Sequence, residues 1–282
     1  MLSLKKYIIL TIVIFLIVTQ IGCGVIETNN KNSEENDIKA YDKVYFTKWD
    51  SYLGYTLEEK TGYIQIAFVD YNDYNNFCSK IKSIELMPTN NNIEITNFRI
   101  SKGNEHGEKS IRTAEIRFNL NREGKEKITM IRINLIDDTA ITWDIGSWEI
   151  EIINAVVEND MELGVRSFYE SVLETYFFEL KNISSKNIYI KELVYNLDKQ
   201  IDFKLNSNNL LKKGESSKVT YKVSNNNNLV KNSDFYYFKP LLIYEIGNEF
   251  KYYPLDFTVY SGNFSSELID NLQKSGRYID IK

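Results

Sequence analysis

The sequence predicts an all-β protein: two antiparallel β-sandwich domains behind an export signal and a disordered tether. Three observations predict it. Apolar and polar residues alternate with period two in segment after segment. Clusters of Asn, Gly, Pro and Lys punctuate those segments at short intervals. Ahead of them stands a positive, then apolar, then small-residue leader that does not resemble folded chain.

The leader comes first. Lys5 and Lys6 are followed by YIILTIVIFLIVT at positions 7–19, then by Gly22-Cys23. A transmembrane helix needs about 20 apolar residues. The run is short for that purpose, so residues 1–22 read as a signal peptide. Extended through Ile21, the same run would serve as an uncleaved N-terminal anchor, the alternative reading. The stretch Thr19-Gln20-Ile21-Gly22-Cys23 resembles the lipobox of bacterial lipoproteins. Gly22 is the small residue before the cysteine. Gln20 stands where that family usually has Leu. The resemblance implies cleavage before Cys23, lipid on its sulfur, and a place at the extracytoplasmic face of the cell membrane. A diacylglyceryl group supplies two chains, and two chains anchor stably where one does not.

Residues 23–40 are the lipidated cysteine and a tether. The segment GVIETNNKNSEENDIKA has too few large apolar residues to offset its ordering entropy. As a coil it would span roughly 20–25 Å.

Residues 41–160 are assigned to the first sandwich. Arg112–Asn121 is its clearest strand, with Ala114, Ile116, Phe118 and Leu120 on one face and Thr113, Glu115, Arg117 and Asn119 on the other. Ser147–Val156 repeats the pattern with Trp148, Ile150 and Ile152 inward. Further strands are expected at 62–70, 80–87, 92–100 and 126–136. A turn is expected at Asp144–Gly146, because Trp143 and Trp148 differ by an odd number. Residues 157–168 break the pattern and mark the domain boundary.

Residues 168–262 are assigned to the second sandwich, with strands from Val172 and at 187–197, 201–205, 217–224, 235–246 and 249–260. Phe178-Glu179-Leu180-Lys181-Asn182-Ile183-Ser184-Ser185 resembles the opening strand and turn of bacterial immunoglobulin-like export modules. Leu211–Val223 (LKKGESSKVTYKV) resembles a later strand of those modules. The resemblance covers residues 172–260 and implies an immunoglobulin-like sandwich there. Residues 263–282 form a C-terminal extension, with helical spacing of Leu268 and Leu272 after a serine.

Composition bounds the function. The 34 basic residues include Lys5 and Lys6, so the processed chain carries 32 against 39 acidic residues, a net charge near −7. That balance disfavours nucleic acid as a partner. With Cys23 lipidated, Cys78 is the remaining thiol, and it reads as a small apolar residue rather than a disulfide partner. The 31 asparagines mark turns, where Asn tolerates left-handed backbone.

Catalytic patterns are weak. His106 is the one histidine and lies among glycines, without a nucleophile elbow. Ser79-Lys80-Ile81-Lys82 has Ser-x-x-Lys spacing but enters a strand. Asp70–Asp73 has the look of a calcium loop without its Gly and Glu. Asp137, Asp138 and Asp144 form a second acidic group. No enzyme, cofactor or metal is expected. Trp143, Tyr236, Tyr237, Tyr252 and Tyr253 are the candidate binding residues, because exposed rings on a sandwich stack sugars.

The expected role is therefore a non-enzymatic binding or interaction module, with a protein or glycan ligand. Its alternatives are an accessory of an envelope transport or export complex, and a glycan or cell-wall enzyme.

Overall fold

The computed structural model describes residues 43–70, 76–88, 91–106, 109–166, 175–194, 201–204, 209–223, 233–255, 259–261, 266–276 and 279–280. The expected signal peptide, Cys23 and the tether lie outside the described residues, as do positions 71–73 of the calcium-like loop.

The described residues are mostly β-strand, as alternation predicts. One five-stranded sheet contains β1 (Lys43–Phe46), β3 (Thr61–Asp70), β5 (Ile93–His106), β6 (Lys109–Leu120) and β19 (Ile279–Asp280), in the order β19-β1-β3-β6-β5. A six-stranded sheet contains β2 (Trp49–Thr56), β4 (Ile81–Met87), β7 (Gly124–Leu135), β8 (Ala140–Ile153), β15 (Phe235–Lys239) and β18 (Val259–Ser261). Its order is β18-β15-β2-β8-β7-β4. The two sheets share one core. Phe46, Ile64, Ile66, Ile116 and Phe118 come from the first, and Leu53, Ile131, Trp148, Ile150 and Phe235 from the second.

Two four-stranded sheets enclose a second core. One holds β9 (Met161–Arg166), β10 (Thr175–Asn182), β12 (Ile201–Lys204) and β14 (Ser216–Val223), ordered β12-β14-β10-β9. The other holds β11 (Ile188–Val194), β13 (Leu210–Leu211), β16 (Leu241–Ile246) and β17 (Glu249–Pro254), ordered β13-β11-β16-β17. Phe178, Leu180, Ile188, Ile190, Leu242 and Tyr244 fill the space between them.

The strands are not divided between the cores as the sequence order suggests. β15 and β19 come from the C-terminal half and pair with β2 and β1 of the N-terminal half, and β18 extends the same sheet beyond β15. Ala40–Lys282 form one compact unit. The expected strand 235–246 is in fact two, β15 and β16, which separate at Pro240 into different sheets. Proline has no N–H to continue a ladder, and a strand that must change sheets breaks there at least cost.

The six-stranded sheet is mixed, not antiparallel throughout. β2 runs parallel to β15 on one side and to β8 on the other. Parallel neighbours need long crossovers, and β3–β7 supply one of them. β2 escaped prediction because it is buried on both faces: of its eight residues only Asp50 is not fully buried. Leu53 and Tyr55 enter the first core, Tyr52 the second. A doubly buried strand has no alternation to read.

Two other expectations are corrected. The break at 157–168 contains β9, whose Met161 enters the second core. Asp144–Gly146 is not a turn between strands but an irregularity inside β8. Met130 and Ile128, two apart on β7, face Asp144 and Trp148, four apart on β8. Gly146 absorbs the extra length at φ +88°, a left-handed value that glycine adopts freely. The bulge resets the phase, so Trp143 and Trp148 both pack on the same core.

Among the described residues, two α-helices flank the sheets. Helix α1 (Asn76–Lys80) buries Phe77 and packs half-buried Cys78 against the first core. Helix α2 (Ser266–Lys274) falls where the spacing of Leu268 and Leu272 places it. Those leucines cover Tyr45, Val69 and Ile111 on the outer face of the five-stranded sheet.

Candidate functional site

A concavity crosses the outer face of the six-stranded sheet. Its volume is about 330 Å³, at the small end of ligand pockets. Lys125 and Lys127 of β7 stand directly opposite Glu151 and Glu149 of β8. Outward residues of facing strands pair in this way because the pleat repeats every two residues. Lys125 Nζ lies 3.1 Å from Glu151, and Lys127 Nζ 3.4 Å from Glu149. Tyr52 closes one wall, and its hydroxyl donates to Glu151 Oε2 at 2.8 Å. Burial, and then the charge and hydrogen bond of Glu151, push the Tyr52 hydroxyl well above the ordinary tyrosine range. It stays protonated and donates; it is no base. Glu126, between the two lysines, points the other way and accepts the Asn92 N–H at 3.1 Å. The groove thus has a cationic wall and an anionic wall, cross-paired.

A second arrangement lies on the outer face of the sheet β13-β11-β16-β17. Tyr189, Glu245 and Phe250 form one register row across β11, β16 and β17. Phe250 is 66% exposed and Tyr189 45%. Between them Lys191 pairs with Glu245 at 2.6 Å. Its ammonium is 5.5 Å from the Tyr189 ring centre and 6.0 Å from that of Phe250. Ile243 and Tyr252 form the adjoining row, both half-buried.

The aromatic residues singled out from sequence are scattered by the fold. Tyr252 alone of them joins this surface, in the adjoining row. Tyr253 is in register with Leu242 and packs on the second core. Tyr237 is corrected from an exposed ring to a core residue, 6% exposed, between Trp49 and Trp148. The reason is β15, which joins the sheet with Phe235 and Tyr237 facing in. Tyr236 lies on β15 in register with Asp50 and Ser261. Trp143 is half-buried with its ring 5.4 Å from Phe46. Cys23, the expected lipidation site, lies outside the described residues.

Tyr189 and Phe250 were missed, although a signal existed. Tyr189 stands between inward Ile188 and Ile190, and Phe250 follows the Gly247-Asn248 turn in phase with Tyr252. Local alternation marks them as outward once Ile188 is known to face in.

The acidic residues are separately engaged. Asp137 accepts from Thr139 N–H at 3.1 Å and Thr139 Oγ1 at 2.6 Å, and these bonds hold its carboxyl below the usual range. Asp138 pairs with Lys82 at 2.8 Å, and Asp144 with Lys48. Among the described residues, no three His, Cys, Asp or Glu side chains are grouped to hold a metal. His106 is placed at the end of β5, in register with Lys109.

No protein-family model matches the chain, and no curated protein matches it. Among solved structures it is similar to a protein of unknown function from Porphyromonas gingivalis W83. The identity is 7%, over 77% of this chain and 96% of that one, at a TM-score of 0.25.

Proposed function

We propose that the chain is a bacterial lipoprotein, anchored through lipid on Cys23 at the extracytoplasmic face of the cell membrane. Its β-rich head acts as a non-enzymatic binding or interaction module. The observation that carries the anchor is the sequence Lys5-Lys6, apolar 7–19, Gly22-Cys23. Positive, apolar and small segments in that order are what export and lipid attachment require. The head supplies two surfaces of the kind a binding module uses, the paired-charge groove and the aromatic row.

The C-terminal part of the head reads as an immunoglobulin-like sandwich. The strand order supports this. β9-β10-β14-β12 follows the A-B-E-D order of the constant-type fold, and β11-β16-β17 follows C-F-G. β15 is then an insertion between the E and F strands, lent to the neighbouring sheet.

Metabolic labelling with a palmitate analogue tests the anchor. The wild-type chain takes up label and fractionates with membranes. Cys23→Ala takes up none and keeps its leader. Equal labelling of both chains rejects the lipoprotein and leaves an uncleaved anchor.

A further inference from the structure

We propose that the outer face of β11, β16 and β17 is a platform for a straight, β-1,4-linked wall polysaccharide, with Tyr189, Phe250 and Tyr252 as its stacking rings. The inference rests on the binding-module reading and names the ligand class of that module.

Tyr189 and Phe250 are two strands apart in one register row. Strands are about 4.8 Å apart, so the two rings rise roughly 10 Å from each other. That is the span of two linked pyranose rings in an extended chain. Both side chains are exposed, and an aromatic face suits the C–H face of a sugar ring.

The centre of the row decides between partners. Lys191 and Glu245 form an ion pair there at 2.6 Å. A protein partner concentrates its binding energy in a desolvated centre. Here that would bury an ion pair, and stripping water from paired charges offsets much of the gain. Sugar hydroxyls donate to Glu245 and accept from Lys191, replacing water instead of removing it. A cationic ligand is disfavoured for a different reason. Lys191 already holds the position between the rings, yet at 5.5 and 6.0 Å it sits at the outer limit of cation–π contact. The contrast is Lys239, whose ammonium lies 4.1 Å from the Tyr55 ring centre and caps it. Lys191 is held by Glu245 and lies farther from either ring than Lys239 does from Tyr55. Tyr252 and Ile243 extend the surface by one row along the strands, enough to guide a chain across the sheet.

The test is cosedimentation of the detergent-solubilised full chain with purified peptidoglycan sacculi, with the hexasaccharide of N-acetylglucosamine as soluble competitor. Wild type sediments with the sacculi and is displaced by the hexasaccharide. Tyr189→Ala and Phe250→Ala each weaken binding about tenfold, the scale of an anchor residue at an interface. Both keep the wild-type melting temperature, since neither ring is in a core. Lys82→Ala, exposed on β4 of the six-stranded sheet, binds as wild type. Absence of sedimentation overturns the platform, and so does equal binding by the Tyr189→Ala/Phe250→Ala double variant. The lipid-labelling result is read independently: a chain that is labelled but does not sediment loses the platform and keeps the anchor.

Discussion

Asn182 shows how one buried polar residue organises a turn. It is fully buried, at the end of β10. Its Nδ2 donates to the Lys186 and Leu211 carbonyls at 2.8 and 2.9 Å. Its Oδ1 accepts from Ser184 N–H at 2.9 Å and Ser184 Oγ at 2.7 Å. No other residue type of its size supplies two donors and an acceptor at that place. Asn182→Ala takes the side-chain donor from the buried Leu211 carbonyl, while the Lys186 carbonyl keeps Ser184 Oγ at 2.9 Å; it should cost about 1–3 kcal/mol, read as a lower urea midpoint with unchanged slope. Asn182→Asp is no rescue, because an ionised carboxylate has no donor for the carbonyls. Titration at this scale also has a definite sign. Burial comes first, and neighbouring carboxylates second, in holding the Tyr52 and Tyr244 hydroxyls above their ordinary value of 10.0. Burial does the same for Tyr55. Burial acts to lower Lys251, but its hydrogen bonds and charge pairing with Glu158 and Asp160 outweigh that and raise it. In each case the folded chain keeps a proton that the unfolded chain releases. Stability is therefore intact below about pH 10 and falls above it, by about 1.4 kcal/mol per pH unit for each such tyrosine. Urea midpoints should be level to about pH 9.5 and drop steeply beyond 10, with a shallower drop in Tyr52→Phe. A level midpoint to pH 11 contradicts the assignment.

At the scale of elements, β2 carries the contact between the two cores. Its Gly54 faces Leu241 of β16 so closely that a Cβ would overlap the leucine side chain. Gly54→Ala should cost about 1–3 kcal/mol by overpacking. Leu241→Ala removes the obstacle, so in that background the glycine substitution should cost far less. Additive losses in the double-mutant cycle would show that the two strands do not meet there. β15 is the second element of consequence. Its Phe235 stacks on Trp49 at 4.7 Å, and Tyr237 meets Trp49 and Trp148 edge-on or tilted. Lys239 at its end is buried, paired with Glu59, and donates to the Gly54 carbonyl at 3.2 Å. Phe235→Ala should cost about 3–5 kcal/mol, a loss felt in the N-terminal core although residue 235 belongs to the C-terminal half. Near-ultraviolet circular dichroism of the tryptophans is the measurement that shows it.

The whole molecule is interlocked by strands out of sequence order. A fragment of residues 168–282 would keep most of the second core and lack β9. It would also carry β15 and β18 with no sheet to join. A fragment ending at 160 would lack β15 and leave the β2 edge unpaired, and exposed edges of that kind aggregate. The linker between the cores is also tied down: Val157 N–H donates to Glu58 at 2.7 Å, and Lys251 pairs with Glu158 and Asp160. The intact head should melt in one calorimetric transition, and each fragment should be less cooperative than its share of that transition. Two separate transitions in the intact chain would restore independent domains. Legibility follows the same line. Ala114, Ile116 and Phe118 read as an inward face and are one, because a strand with one wet face alternates. Trp49–Thr56 did not read as a strand because it has no wet face. Trp143 and Trp148 misled because Asp144 and Gly146 announce a break in the strand, and a bulge inside one strand has the same local signal as a turn between two. In the candidate site, Tyr252 was legible as an aromatic in a strand, but Tyr237 had the same local pattern and the opposite fate.

The sequence by itself determined the β-rich class, most strand positions and the α2 helix. These rest on period, composition and turn chemistry, which act over a few residues. Tertiary structure decided which strands are neighbours, that β2 has parallel partners, and which aromatic rings reach solvent. Those outcomes depend on what lies across a sheet or against its far face. Strand exchange at Pro240 placed Tyr237 in a core, while the β16–β17 hairpin left Phe250 on the surface. Alternation states that a residue points to one of two faces; only the packing of a second layer states which face is dry.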